Sequence, residues 1–207
     1  MKRWYRGRSR GRRRAQVAAS APQAVSSEAM PLYRAIIESI ERDGFAAIGM
    51  EPEGGQPGRV YTVGLIETYQ HAELIVFGAM RASYQSAIQR LVGRLRQGHG
   101  VLPLNTPIAE VFDHLPGTLK TVAPEIGTPY VSIAQWRAQQ QDLPLTLVQV
   151  VRPDPFGCFA WEPGFDHALD RCQLTLYDRE PGRVIELDLR RGRGRPGRAS
   201  NASGWRP

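Results

Sequence analysis

The sequence has little cysteine, very little lysine and no long apolar run. Among its 207 residues are two cysteines, Cys158 and Cys172, which form no CxxC motif and have no histidine at metal-ligand spacing. This pattern excludes a disulfide scaffold and favours reduced thiols in the cytoplasm. The longest apolar run, residues 74–80, is much shorter than the ~18 residues that span a membrane. We therefore predict a cytoplasmic protein that does not cross a membrane.

Acidic residues are missing from both ends of the chain. Residues 1–27 contain eight Lys or Arg and no acid, and residues 190–207 contain six Arg and no acid. The formal net charge of +7 therefore combines +14 at the ends with −7 in between. We predict disordered basic tails over residues 1–29 and 190–207, around one globular domain of residues 30–189. Such tails would bind nucleic acid weakly and without sequence preference.

Hydrophobic periodicity predicts the elements of this domain. We expect helices in MPLYRAIIESIERDG, SYQSAIQRLVGRLRQG and VSIAQWRAQQQ, and strands in FAAIGM, VYTVGL, ELIVFGAM, GTLKTVA and LPLTLVQVVRPD. The first two strands read as a hairpin and the third as central. A further hairpin is expected to close the domain around REPG, within CQLTLYDREPGRVIELDL. Strands cluster and helices intervene irregularly, so we predict an α+β fold with a largely antiparallel sheet and about three helices.

A polar loop after VYTVGL collects more reactive side chains than any other short segment. It supplies Glu67, Thr68, Tyr69, His71 and Glu73 within seven residues. If the chain is extended there, His71 and Glu73 point the same way, and the carboxylate would fix the imidazole tautomer and keep the ring basic. Such a pair suits a general base or metal ligands. The alternative is a solvent-exposed histidine beside a glutamate that marks the start of a strand.

A second cluster follows the strand LVQVV, in the segment RPDPFGCFAWEPG. Arg152 and Asp154 lie just past the strand, and Phe156, Phe159 and Trp161 come directly after them. Aromatic rings beside an arginine and a carboxylate can line a pocket for a planar or anionic ligand. The alternative is that the rings cover the edge of the core and that Arg152 pairs locally with Asp154.

Both clusters, together with CQLTLYD, resemble a bacterial family called domain of unknown function 4262. The resemblance covers roughly residues 44–177. The residues that fit the family pattern are Tyr61, Thr62, Gly64, His71, Glu73, Gln149, Asp154, Trp161 and Glu162. Ala72 and Ala160 stand where the family usually has proline, and Arg152 where it commonly has an aromatic residue. The family has no established activity, so the resemblance implies a domain and a set of site residues but no mechanism.

Three functions remain open, and the sequence does not decide whether the protein is an enzyme. In the first, both loops form one site that binds or processes a small molecule. Its catalytic candidates are His71 as base or ligand, Glu73 as the group that orients it, and Asp154 as a second carboxylate; its ligand-binding candidates are Tyr61, Thr62, Arg152, Trp161 and Glu162. In the second, the same loops form a non-catalytic protein-interaction module. In the third, the tails associate with nucleic acid. The sequence assigns no metal site and identifies no cofactor.

Overall fold

The computed structural model describes residues 30–78, 81–98 and 100–177. Both predicted tails and the second half of the predicted closing hairpin lie outside these residues. The domain limit at residue 189 and the association of the tails with nucleic acid therefore stay predictions.

Six strands form one sheet, in the order β1-β2-β3-β6-β5-β4. The strands are β1 (Ala46–Met50), β2 (Arg59–Val63), β3 (Glu73–Phe77), β4 (Ile108–Phe112), β5 (Leu115–Val122) and β6 (Leu147–Val151). The helices are α1 (Met30–Asp43), α2 (Leu65–Tyr69), α3 (Arg81–Arg96), α4 (Pro124–Gly127) and α5 (Ser132–Gln140). Strands β3 and β6 are parallel, and the other neighbouring pairs are antiparallel. The predicted α+β fold with a largely antiparallel sheet is confirmed.

Helices cover both faces of the sheet. Strand β3 has every residue buried, because Leu74 and Val76 point to one face and Ile75 and Phe77 to the other. The first face packs against the apolar stripe of α3, and the second face packs against α1 and α5. A strand with both faces covered shows no alternation of polar and apolar residues, so the apolar run LIVF within ELIVFGAM correctly predicted a central strand.

Two strands differ from the sequence-based expectation. Strand β6 begins at Leu147 and not at Leu143, although the leucines alternate from Leu143 onward. Strand β4 was not predicted. Its pairing with β5 shifts register between Ile108 and Phe112, and Glu110 has a φ of 55°. A bulge of this kind interrupts the period of two by which a strand is recognised in a sequence.

The predicted closing hairpin is wrong in its first half, because residues 172–177 do not form a strand. They cross the face of the sheet, where the Gln149 side chain donates to the Leu174 carbonyl at 2.6 Å and accepts from the Leu176 amide at 2.8 Å. Strand β6 already pairs with β3 and β5 along its two edges. The segment is therefore bound through a side chain and not through a backbone ladder.

Within the described ranges, none of the helices has the length and apolar character needed to cross a membrane. The thiols of Cys158 and Cys172 are both free. The cytoplasmic localisation stays a prediction.

Candidate functional site

The polar loop between β2 and β3 is not extended, since five of its residues form α2. Gly64 turns the chain out of β2 with a φ of 103°. A Cβ atom added to Gly64 would lie 2.9 Å from Cγ1 of Ile40, so both the backbone conformation and the close approach of α1 require glycine. The loop then returns to the sheet through His71 and Glu73, which are only 3% and 2% exposed.

The Glu73 carboxylate is bound by β2 and by the first turn of α2. Its Oε2 accepts from the Thr62 hydroxyl at 2.6 Å, and its Oε1 accepts from the amides of Gly64 at 2.8 Å and Ile66 at 3.4 Å. The Thr62 hydroxyl also accepts from the Leu74 amide at 2.8 Å. Burial raises the pKa of Glu73 to about 7, because these hydrogen bonds offset only part of the desolvation. The carboxylate therefore fixes α2 to the sheet and changes its charge near neutral pH.

The His71 ring is held in one tautomer by a main-chain carbonyl. Its Nδ1 lies 2.7 Å from the Ala72 oxygen, which can only accept, so Nδ1 carries the proton. The neutral ring therefore has its lone pair on Nε2. Burial lowers the pKa of His71, and the bond to Ala72 partly offsets this effect. In the described chain no hydrogen bond joins His71 to Glu73, so the predicted His–Glu pair is wrong: the carboxylate is occupied by Thr62 and backbone amides.

Asp154 organises the turn after β6. Its Oδ1 accepts from the amides of Phe156 and Cys158, both at 2.9 Å, and its Oδ2 accepts from the Asp166 amide at 3.2 Å. Backbone hydrogen bonds from Asp154 to Cys158 and from Gly157 to Asp154 close the same turn. Burial alone would raise the pKa of Asp154, but the amide bonds together hold it below its ordinary value. The side chain is fully buried and forms no ion pair with Arg152, so the alternative of a local Arg152–Asp154 pair is not seen in the described part of the chain.

The two predicted halves of the site lie at opposite ends of the sheet. Glu73 begins β3 and pairs with Leu147, the first residue of β6, in parallel register. Asp154 lies beyond Val151, the last residue of β6. A strand rises about 3.3 Å per residue, so roughly 13 Å of β6 separates these two points. The expectation that His71, Glu73 and Asp154 share one site is therefore wrong, and the catalytic role of each residue stays a prediction.

Trp161 belongs to an aromatic cluster over the second face of the sheet. Its ring stacks on Phe159, with centroids 4.9 Å apart and planes 2° apart, and meets the edge of Tyr177 at 5.9 Å. The Lys120 ammonium lies 4.1 Å from the centre of the same ring. Glu162 accepts from the Phe159 amide at 2.7 Å and so fixes the loop that carries the cluster. Trp161 thus contacts its neighbours extensively while remaining 37% exposed.

The other predicted ligand-binding residues have structural contacts. The Tyr61 side chain is buried near Ser132 and the Ile133 backbone at the start of α5, and burial raises the pKa of its phenol. The main chain of Arg152 bonds the Gln173 side chain twice, at 2.9 and 3.1 Å. The positive charge of Arg152 lies near Tyr84, where burial raises the pKa of the phenol and this charge partly lowers it. Arg152 therefore faces α3, on the opposite side of the sheet from Trp161.

Two features were missed by the sequence analysis. A concavity of about 870 Å³ lies between α3 and β4, where Arg90 and Arg94 donate to the carbonyls of Val111 and Ala109. None of the predicted site residues lines it.

The second feature is Lys120. The sequence could have pointed to this residue, because it is the one lysine of the chain outside the N-terminal tail. Among the described residues, no three His, Cys, Asp or Glu side chains are grouped so as to hold a metal ion.

These observations define a class of protein. It is an α+β domain with a mixed six-stranded sheet, and at each end of the strands one buried carboxylate, Glu73 or Asp154, accepts hydrogen bonds from backbone amides. The family model described as Domain of unknown function (DUF4262) matches residues 39–166. The chain belongs to this family, and the resemblance stated from the sequence is confirmed. No curated protein and no solved structure matches the chain.

Proposed function

We propose that the domain is a non-catalytic binding module that recognises a protein segment through Phe156 and Trp161. We call the exposed side chains of these two residues the Phe156 surface. The observation that carries the proposal is that Phe156 is 88% exposed although the turn beneath it is fixed by the buried Asp154 carboxylate. Large exposed aromatic side chains are frequent anchors of protein interfaces.

The rigidity of the turn supports binding. Asp154 bonds the amides on both sides of Gly157, whose φ of 90° completes the turn. The backbone that presents Phe156 is thus ordered before any partner arrives. A partner would not need to supply the free energy for ordering this loop, which is the main benefit of preorganisation.

The two buried carboxylates favour binding over catalysis. Glu73 and Asp154 each accept hydrogen bonds from the chain itself on both oxygens. A carboxylate that transfers protons to a substrate must exchange such bonds during the reaction. Using either group in that way would disrupt α2 or the turn that carries Phe156.

A peptide library displayed on phage and selected against the wild-type protein tests the proposal. Truncation of an interface anchor costs at least ~2 kcal/mol, so Phe156→Ala should weaken the selected peptides about thirtyfold. The matched control is Val101→Ala, which shortens another exposed apolar side chain, 73% accessible, outside the Phe156 surface. The proposal fails if no peptide is enriched, or if both variants bind the selected peptides equally well.

A second function, acid–base chemistry on a small molecule at His71, is favoured by the lone pair on Nε2. His71→Asn tests it sharply, because the asparagine amide replaces the Nδ1 donor and leaves nothing at Nε2. Native mass spectrometry of the wild type and this variant, with the unfolding temperature as a check of the fold, compares what each retains. A small molecule retained by the wild type and lost by His71→Asn would favour chemistry at His71 over the binding module.

A further inference from the structure

Lys120 lies in the middle of β5, directly opposite Gln149 of β6. The chain has two lysines, Lys2 and Lys120, among 27 basic residues, so arginine fills almost every other cationic position. An ammonium is a compact charge with three donors, whereas a guanidinium is a wide planar fork. Lys120 is thus one of only two lysines in the chain, and it lies on a face of the sheet.

The Lys120 ammonium has aromatic neighbours and no anionic one in the described part of the chain. It lies 4.1 Å from the centre of the Trp161 ring and 6.0 Å from that of Tyr177. Three described arginines have carboxylate partners, namely Arg42 with Asp43, Arg90 with Asp113, and Arg137 with Glu67. Burial lowers the pKa of Lys120, which is the effect of desolvation without an opposing anion. Cation–π contact compensates part of this cost but accepts no hydrogen bond.

Thr118 provides an independent observation at the same place. It lies two residues before Lys120 on the same strand, so both side chains project from one face of the sheet. Thr118 is 1% exposed, and its hydroxyl has no hydrogen-bond partner among the described residues. Buried hydroxyls are usually satisfied, and an unsatisfied one next to an unpaired ammonium indicates a missing acceptor.

We infer that Lys120 and Thr118 bind a carboxylate, from a small organic acid or a peptide C-terminus, with Trp161 against its apolar part. One carboxylate oxygen would accept from the ammonium and the other from the threonine hydroxyl. A carboxylate matches this site because its single charge balances that of Lys120, and its apolar substituent fits beside an indole ring. Trp161 is shared with the Phe156 surface, but Lys120 and Thr118 lie outside it, so the inference adds a ligand that the proposed function does not name and does not depend on Phe156.

The scarcity of lysine makes a direct test straightforward. Full-length protein grown with ¹³C,¹⁵N-lysine contains two labelled side chains, and Lys2 serves as the internal control for Lys120. The probes are phenylacetate, its neutral analogue phenylacetamide, and the acid and amide forms of acetyl-Gly-Gly-Phe. We expect the Cε and Nζ signals of Lys120 to shift saturably with at least one acid and with neither amide. The acid that binds shows whether the carboxylate comes from a small acid or a peptide.

Two variants complete the test. Thr118→Val keeps the shape of the side chain and removes the hydroxyl, so it should weaken the acid about fivefold. Thr121→Val makes the same change at an exposed position of β5 and should leave the affinity unchanged. The inference is overturned if Lys120 responds no more than Lys2, if an amide binds as well as its acid, or if Thr118→Val binds like the wild type.

Discussion

Two carboxylates with almost no solvent exposure, at opposite ends of the sheet, have pKa values shifted in opposite directions. Glu73 is the first residue of β3 and Asp154 follows β6, and both accept hydrogen bonds from backbone amides in the interior. Yet burial raises the pKa of Glu73 to about 7, whereas the amide bonds hold the pKa of Asp154 below its ordinary value. The sign therefore depends on whether the hydrogen bonds that each carboxylate receives outweigh its desolvation.

The hydrogen-bond donors also differ between the two sites. Asp154 accepts from three amides at 2.9, 2.9 and 3.2 Å, because the turn wraps around its short side chain. Glu73 receives one close amide, one at 3.4 Å, and a hydroxyl that also serves Leu74. Amide donors stabilise the charged form of a carboxylate, and too few of them cannot replace the water lost on burial. Asp154 therefore keeps its negative charge at physiological pH, whereas Glu73 changes its charge near pH 7.

The largest expected effect comes from Asp154→Ala. The change leaves the amides of Phe156, Cys158 and Asp166 without their acceptor, so we expect the turn to lose its order and the thermal stability to fall markedly. Amide hydrogen exchange at these three residues measures the effect. Glu41→Ala, which removes an exposed carboxylate from α1, is the control and should change little. Equal protection in Asp154→Ala and the wild type would contradict the role given to this carboxylate.

The second prediction uses the opposite pKa shifts. Glu73 binds its proton more tightly in the folded protein, so its stabilisation is fully present below pH 4.5 and is lost as the pH rises to about 7. The loss amounts to at most about 3 kcal/mol in the free energy of unfolding. Asp154 acts in the opposite direction, because its stabilisation is present above pH 3.8 and is lost at lower pH.

Urea unfolding of the wild type and Glu73→Gln between pH 4.5 and 8 checks this prediction. The lowered pKa of His71 gives stability that is present above pH 6.5 and lost as the pH falls, so it opposes Glu73 in part of this range. The difference between the two proteins removes that contribution, because both contain His71. A difference that does not change between pH 4.5 and 7 would show that Glu73 has an ordinary pKa.

The third prediction compares two buried threonines, one at each end. The Thr62 hydroxyl bonds both Glu73 and the Leu74 amide, whereas the Thr118 hydroxyl has no partner among the described residues. We expect Thr62→Val to lower the free energy of unfolding by about 2 kcal/mol, because it leaves two buried groups unsatisfied. Thr118→Val should raise it by about 1 kcal/mol, because it removes an unsatisfied one. Thermal unfolding without added ligand measures both, and the comparison fails if the two changes have the same sign.

The smallest expected effect is on the protonation of the His71 ring, and it does not involve a change of fold. Because Nδ1 donates to the Ala72 carbonyl, we expect the neutral ring to carry its proton on Nδ1 and to titrate below pH 6.5. Long-range ¹H–¹⁵N correlation spectra distinguish the two ring nitrogens. A proton on Nε2 would contradict the hydrogen bond to Ala72 and remove the support for His71 as a base.

Much of the fold could be predicted from short segments. The runs FAAIGM, VYTVGL and ELIVFGAM gave β1, β2 and β3, because a strand needs only a local apolar pattern and a turn on either side. Strand β4 escaped prediction because a bulge at Glu110 breaks its alternation. The sequence identified the residues of the candidate site but not their positions relative to one another. A motif gives the order of residues along the chain and not the direction in which the strands pair.

By itself, the sequence determined the family, the α+β class, the central position of β3 and the two clusters of polar and aromatic residues. Only the tertiary structure decided that β3 and β6 run parallel, which places Glu73 and Asp154 at opposite ends of the sheet. It also decided that Nδ1 of His71 holds the proton and that Lys120 lies against Trp161. The physical reason is range: secondary structure follows from neighbours along the chain, whereas a pKa, a tautomer or a cation–π contact depends on groups that folding brings together from distant positions.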